Sequence, residues 1–463
     1  MNSPKATSSR GISGFPWLIA LVVYTISWGW SLIRPNTLYW DDWDAIYNQP
    51  KNYLNEFFSR TGLPPWRVLI DQELLGIGYW TIRWLTFAMF FVAGVFLFEI
   101  LKKIPFISLS QNQSIVLLFL ILPVNHARIS LSMFGYTTSH FLFFLAWMVL
   151  VKCSSWTALF IASFCFIWSF MTHSFLIFSV LPTLHFVYLC REQLSLEKPN
   201  TKTLAQVGVL LASPILYYVV RKMYWQPDAE YLWYHTIYPR AVIVSAVYFL
   251  PFIFLVVGIV VRVRHGRQIP PNTLMITSGC LAFGAGVFPY IASGNLDSRM
   301  IFFFWELGWT SRHQLLMPLG ASAIGVSLVC LISKNKSRLI LRLVSVVMIS
   351  LNVYWGIGSY VDSVKKDKIV ELVSRELMSD ESPRFVVTDE TTHLNVRADG
   401  YRTYEFAGLF HKAGKIPAPA IQDDCRDESN LTEVIFKSDK GLLEAFFSQD
   451  LGLSLEIQLC EST

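Results

Sequence analysis

Apolar stretches of about 17–23 residues recur along this chain, a length suited to crossing a hydrocarbon core about 30 Å thick as a helix. Short polar connections separate them. The pattern predicts eleven spans, at 15–33, 79–101, 113–127, 132–151, 154–171, 174–190, 204–220, 241–261, 272–291, 313–333 and 339–360. The third run is short and ends in Pro123, Asn125, His126 and Arg128, which predicts a broken or tilted helix. Only Thr172, His173 and Ser174 join the fifth and sixth runs, so these two form a tight hairpin. Lys5 and Arg10 precede the first run without a small-residue cleavage site, so it reads as a retained span and not a signal peptide.

Basic residues set the expected orientation, because Lys and Arg concentrate in cytoplasmic loops. Lys102, Lys103, Lys152, the stretch Arg191 to Lys202, Arg262, Arg264, Arg267, Lys334, Lys336 and Arg338 all fall on every second connection. The N-terminus is then cytoplasmic and the tail extracytoplasmic. Residues 1–360 make a transmembrane domain, with 34–78 as its first extracytoplasmic loop, and 361–463 make a soluble domain. Within that loop, Lys51 to Ser59 reads as an amphipathic surface helix. The tail reads as a small α/β unit: a helix over Ser363 to Met378, a buried strand over Arg384 to Asp389 and a helix over Thr403 to Lys412.

Composition agrees with an α-helical polytopic membrane protein. Hydrophobic residues make up 53% of the 463 positions and charged residues 15%, against about a quarter charged in soluble chains. Mean hydropathy is +0.43. The net charge of +5 comes from the clusters that set topology, so it is no nucleic-acid signal. Of seven cysteines, five lie in or beside apolar runs. Cys425 and Cys460 fall in the tail and are candidates for one disulfide in an oxidising compartment.

Candidate chemistry gathers on the outer side. Tyr39-Trp-Asp-Asp-Trp-Asp44 follows the first span. Asp41, Asp42 and Asp44 repel one another and need a cation, a shifted pKa or full solvation. Asp42 and Asp44 suit Mg2+ or Mn2+ through oxygen ligands, and any of the three suits a general base, with Asp44 narrowly favoured because Asp42 and Asp44 alternate around Trp43. An acidic, solvated loop edge with interfacial tryptophans is the plain alternative. Arg312 and His313 open the tenth span, and the guanidinium fork matches phosphate oxygens. Arg128 and Arg240 lie on the same side and are further candidates for a lipid phosphate; His126, His173, Arg67 and Trp43 are candidates for the remaining substrate contacts. His140, inside the fourth span, reads as a histidine satisfied between helices.

These residues resemble the GT-C superfamily of polytopic glycosyltransferases, which carry acidic residues in the first outer loop and use polyprenyl-phosphate-linked sugars. The match rests on Asp41, Asp42 and Asp44 and on Ser311-Arg-His-Gln-Leu-Leu-Met-Pro318, where His313 stands in place of the usual Tyr. The Asp pair, with Gly62 and Arg67, is also similar to bacterial membrane glucosyltransferases that decorate O-antigen. The resemblance implies an inverting hexosyl transfer from the lipid carrier to a glycan or lipid-linked acceptor in cell-envelope polysaccharide biosynthesis, with or without a metal. Acceptor-peptide motifs of oligosaccharyltransferases are missing. Three other classes compete: a transporter or flippase of lipid-linked saccharide, an O-antigen polymerase or ligase, and a membrane scaffold. Charges near one surface and the lack of repeats weigh against the transporter, and the early position of the long loop weighs against the polymerase.

Overall fold

The structure is a computed structural model describing residues 15–43, 46–47, 60, 70, 73–153, 155–194, 201–226, 228–229, 239, 243, 258, 270–292, 309–333, 335–377, 384–396, 400–415, 419–422 and 431–460. It is mostly helical, with a small mixed sheet in the tail. Among the described residues, five helices are long and apolar enough to cross a membrane: Tyr79–Leu101, Leu131–Lys152, Thr201–Tyr224, Pro271–Ile291 and Ser337–Glu376. Five shorter apolar helices, Trp17–Leu32, Leu109–Ile121, Trp156–Ser169, Ser174–Cys190 and Met317–Ile332, fall at other expected spans. The run at 241–261 lies outside the described residues except for positions 243 and 258, and the helix expected over Lys51 to Ser59 lies wholly outside them.

The helices that position the site are α1 (Trp17–Trp28), α2 (Tyr79–Leu101), α3 (Leu109–Ile121), α4 (Phe134–Lys152), α5 (Trp156–Ser169), α6 (Ser174–Phe178), α7 (Val180–Leu194), α8 (Thr201–Tyr224), α9 (Pro271–Ala292), α10 (Met317–Ile332) and α11 (Ser337–Glu376). A capping box opens α3: Gln111 N donates to Ser108 Oγ at 3.3 Å, and Ser108 N donates to Gln111 Oε1 at 2.9 Å. This satisfies two of the amides that a helix start leaves unpaired. The helix stops before Pro123, because the residue preceding a proline is driven out of the α region. Asn125 then turns in the left-handed conformation at φ 57°, and a 3₁₀ turn follows over His126–Ile129. The expected break of the third span therefore comes at Ile121, short of residue 127. Between α9 and α10, a Cβ at Gly320 would collide with the backbone of Phe283. The missing side chain lets the two helices touch closely, as small residues do in membrane bundles.

α11 runs for 40 residues without a break. Its first half coincides with the eleventh expected span, and its second half carries straight into the tail, so no linker separates the two. The tail adds β1 (Arg384–Asp389), α12 (Thr403–Lys412), β2 (Ala420–Gln422), β3 (Thr432–Lys437), α13 (Leu442–Ser448) and β4 (Ser454–Leu459). The strand and helix expected at 384–389 and 403–412 are present. Strand order is β2-β1-β3-β4, parallel except for the antiparallel β3–β4 pair. Phe385, Phe406, Leu409, Phe410 and Phe436 form its core with Ile369 and Leu372 of α11, and Leu38, Trp43, Ile82 and Phe134 belong to the same buried cluster. Tail and first loop thus share one core. Cys460 is disulfide-bonded; Cys425 lies outside the described residues.

Two adjacent lysines of α11 are buried and tie it to both partners. Lys365 donates to both oxygens of Asp389, at 2.9 and 2.8 Å, and to Asn395 Oδ1 at 2.6 Å. Lys366 donates to Asp362 at 2.7 Å and to the Leu38 carbonyl at 3.0 Å. Burial alone pushes the Asp389 carboxyl up, but Lys365, Thr391 and Asn395 outweigh it and hold it below the ordinary 3.8. A depressed acid adds stability that is present above its unfolded value and lost as pH falls through the folded one. Tail docking is therefore expected to weaken below pH 3.8. Lys365→Met, which leaves Asp389 buried and unpaired, is expected to cost about 3–5 kcal/mol in denaturant unfolding followed on the tail.

Candidate functional site

The acidic segment leaves α1 and is pinned on three sides before it reaches its first aspartate. Arg34 donates to Ser363 Oγ at 3.1 Å and to Asp367 at 2.7 Å, both on α11. Arg83 of α2 donates to the Thr37 carbonyl at 2.7 Å. Tyr39 OH donates to the Ser359 carbonyl at 3.3 Å. Trp40 is buried at φ 50°, a left-handed conformation that a bulky residue rarely adopts. Its amide donates to Glu405 Oε1 of α12 at 3.1 Å. This turn sends the next two carboxylates in different directions.

Asp42 goes inward and is 1% exposed. Its Oδ1 accepts from Ser130 Oγ at 2.6 Å and Ser132 N at 3.1 Å, and its Oδ2 accepts from Tyr39 N and Leu131 N, each at 3.1 Å. Arg83 Nη2 stands 3.7 Å from Oδ2. Burial pushes the Asp42 carboxyl up, while Arg83, Ser130 and the amides of Leu131 and Ser132 pull it back. With both oxygens taken and a guanidinium alongside, the carboxylate has no free face for Mg2+ or Mn2+. Among the described residues no three His, Cys, Asp or Glu side chains group as metal ligands.

Asp41 goes outward and keeps 39% of its side chain exposed. Tyr404 OH of α12 donates to its Oδ1 at 2.7 Å, and Arg402 Nη1 lies 3.6 Å away. Burial and then the Asp41 charge push the Tyr404 hydroxyl up, so it stays protonated and keeps donating. Trp43 is buried between Tyr47, whose ring stacks at 5.5 Å, and Gly408 of α12. It therefore serves to seat the tail on the loop.

The other expected site segments join the same end of the bundle. Ala127 N donates to Ser311 Oγ at 2.8 Å, and Asn125 N donates to Gln314 Oε1 at 3.1 Å. These bonds lock the turn His126–Ile129 to the 3₁₀ turn Trp309–Gln314, which carries Arg312 and His313. His313 is buried with its ring 4.8 Å from that of Tyr290, and Tyr290 OH donates to Ser174 Oγ at 2.9 Å, beside His173. His126 is buried against Trp355 and Trp28, with ring centroids 4.2 and 5.2 Å away. Arg128 stacks between Trp28 and Phe90. His140 sits among Phe90, Phe119 and Phe144 in the helix interior, but its Nδ1 has no hydrogen-bond partner among the described residues, so it is not the satisfied histidine expected. Asp44, Arg67 and Arg240 lie outside the described residues.

No protein-family model matches this chain, and no curated protein matches it. Its chemistry therefore rests on its own residues. Several of those that build the site were not singled out in the sequence: Arg83, Ser130, Arg402, Tyr404 and Glu405. Arg83 carried a signal, because an ionisable residue inside an expected span calls for a named partner. Arg402, Tyr404 and Glu405 look like an ordinary helix start until α12 meets the loop.

The two aspartates should separate by stability. Asp42→Asn swaps an acceptor oxygen for a donor and leaves Arg83 buried without its counter-charge, so a loss of about 3–5 kcal/mol is expected. Asp41→Asn disturbs a half-exposed pair and should cost less than about 1 kcal/mol. Thermal unfolding of both variants in lipid nanodiscs checks the contrast.

Proposed function

We propose that this chain is a membrane-embedded glycosyltransferase that moves a sugar from a polyprenyl-phosphate carrier to a glycan or lipid-linked acceptor outside the cytoplasm. The observation carrying this reading is the hydrogen-bonded assembly at one bundle end that joins the acidic loop, the turn with His126 and Arg128, and the turn with Arg312 and His313. Of the two aspartates of this loop among the described residues, Asp41 is the one with an open face.

The step is a single displacement. The acceptor hydroxyl gives its proton to Asp41 as its oxygen bonds to the anomeric carbon. The bond from that carbon to the phosphate oxygen breaks, and polyprenyl phosphate leaves with the bonding pair. Arg312 stabilises the charge growing on the departing phosphate. Asp42 stays out of the chemistry and holds the loop. This reading uses a bare carboxylate base, and the chelator comparison below tests it.

The wider proposal is a GT-C-like fold of eleven spans with a cytoplasmic N-terminus, a periplasmic tail and a bacterial inner-membrane location. The disulfide-bonded Cys460 supports an oxidising side for the tail.

Purified protein, radiolabelled polyprenyl-phosphate sugars and crude envelope acceptors test the reading, each with and without EDTA. Transfer by wild type is expected to fall about 100-fold or more in Asp41→Asn and to survive EDTA. Carrier lipid that is bound or moved across the bilayer with its sugar intact would replace this reading with the flippase. Loss of transfer on chelation would replace the bare base with a metal.

A further inference from the structure

A cavity of about 20 Å³ lies where α1, α2 and the turn His126–Ile129 meet, lined by Trp28, Ser31, Arg83, Phe90 and Arg128 among others. Arg83 is 4% exposed. Three buried donors on these walls have no hydrogen-bond partner among the described residues: Arg83 Nη1, Arg128 Nη2 and the indole Nε1 of Trp28. Buried donors without a partner are rare and call for an explanation.

Charge sharpens the case. Two guanidinium groups line this space, and among the described residues one carboxylate, Asp42, lies near them, 3.7 Å from Arg83. Arg128 has Tyr24 and the faces of Trp28 and Phe90 beside it, and no acid among the described residues acts on it. Among the described residues one positive charge is left over in a buried place, and an uncompensated buried charge is strongly destabilising. A water molecule would satisfy donors but not the charge. A monovalent anion does both.

We propose that this cavity is a binding site for a monatomic anion of the chloride class, held by Arg83, Arg128 and Trp28. Size selects the class. A site needs about 10–15 Å³ to hold one water-sized species, which this cavity provides, and a tetrahedral oxoanion exceeds it. The bound anion joins α1, α2 and the turn before α4, and it lies one residue away from the Asp42 anchor, since Arg83 belongs to both. It is a structural ion that sets the base of the acidic loop, and it stands or falls independently of sugar transfer.

Full-length protein in nanodiscs, dialysed into sodium gluconate, tests this by titration with sodium chloride at constant ionic strength. Tm is expected to rise saturably with chloride and with bromide, and chloride-35 NMR lines are expected to broaden on binding. Inorganic phosphate should give no saturable rise. Trp28→Phe keeps the ring and removes one donor, and it should weaken the apparent chloride affinity about tenfold. Arg128→Gln, which removes the surplus charge, should abolish the dependence. A Tm indifferent to halide, or the same halide response in both variants, overturns the proposal and leaves water in the cavity. A phosphate response that exceeds the chloride response overturns the monatomic assignment.

Discussion

Asp42 is buried with four hydrogen bonds and a neighbouring arginine, and the geometry around it follows from that burial. A carboxylate buried alone is costly enough that the chain must bring donors to it. Three of the four donors come from the turn before α4 and one from Tyr39 of the loop itself, while the arginine comes from α2, so one side chain ties the loop after α1 to two other helices. Because Asp42 is drawn inward, the left-handed turn at Trp40 leaves Asp41 facing out. Two adjacent aspartates thereby acquire opposite duties, one as an anchor and one with an open oxygen.

α11 is the second strut. It is long enough to pass from the apolar bundle into the tail, and its two buried lysines meet the tail on one side and the loop on the other. Tyr404 and Glu405 of α12 then reach the loop directly. The tail is best understood as a clamp that closes the acidic loop from above, with Trp43 as its seat against Gly408.

Much of this was legible from pattern. Apolar run length marked ten of the helices, Pro123 marked the break after α3, and Arg384 to Asp389 read as a strand because its hydrophobic run is short and β-branched. The gathering of Tyr39–Trp43, His126–Arg128 and Arg312–His313 at one end agrees with alternating the connections. Different physics governed the misses. Asp41, Asp42 and Asp44 are equivalent in a sequence, and only the partners that the fold supplies separate the first two. Arg83 was hidden inside an apolar run, and Tyr404 lies 363 positions from the aspartate it holds. The tail was expected as a separate unit, but the burial of Trp43 and Leu38 in its core joins it to the loop.

The claim on which the account depends is that the docked tail holds Asp41 in its working place. Gly408→Leu addresses it directly, because a Cβ there already meets Trp43 Cε3 at 2.9 Å and a larger side chain must push the tail off its seat. The measurement is the sugar-transfer rate of this variant, with tail release scored by limited proteolysis. A drop of about 100-fold in rate, with the helical bundle intact, is the predicted result, since small displacements of a reacting group carry that penalty. Full transfer by protein whose tail is demonstrably released would contradict the account.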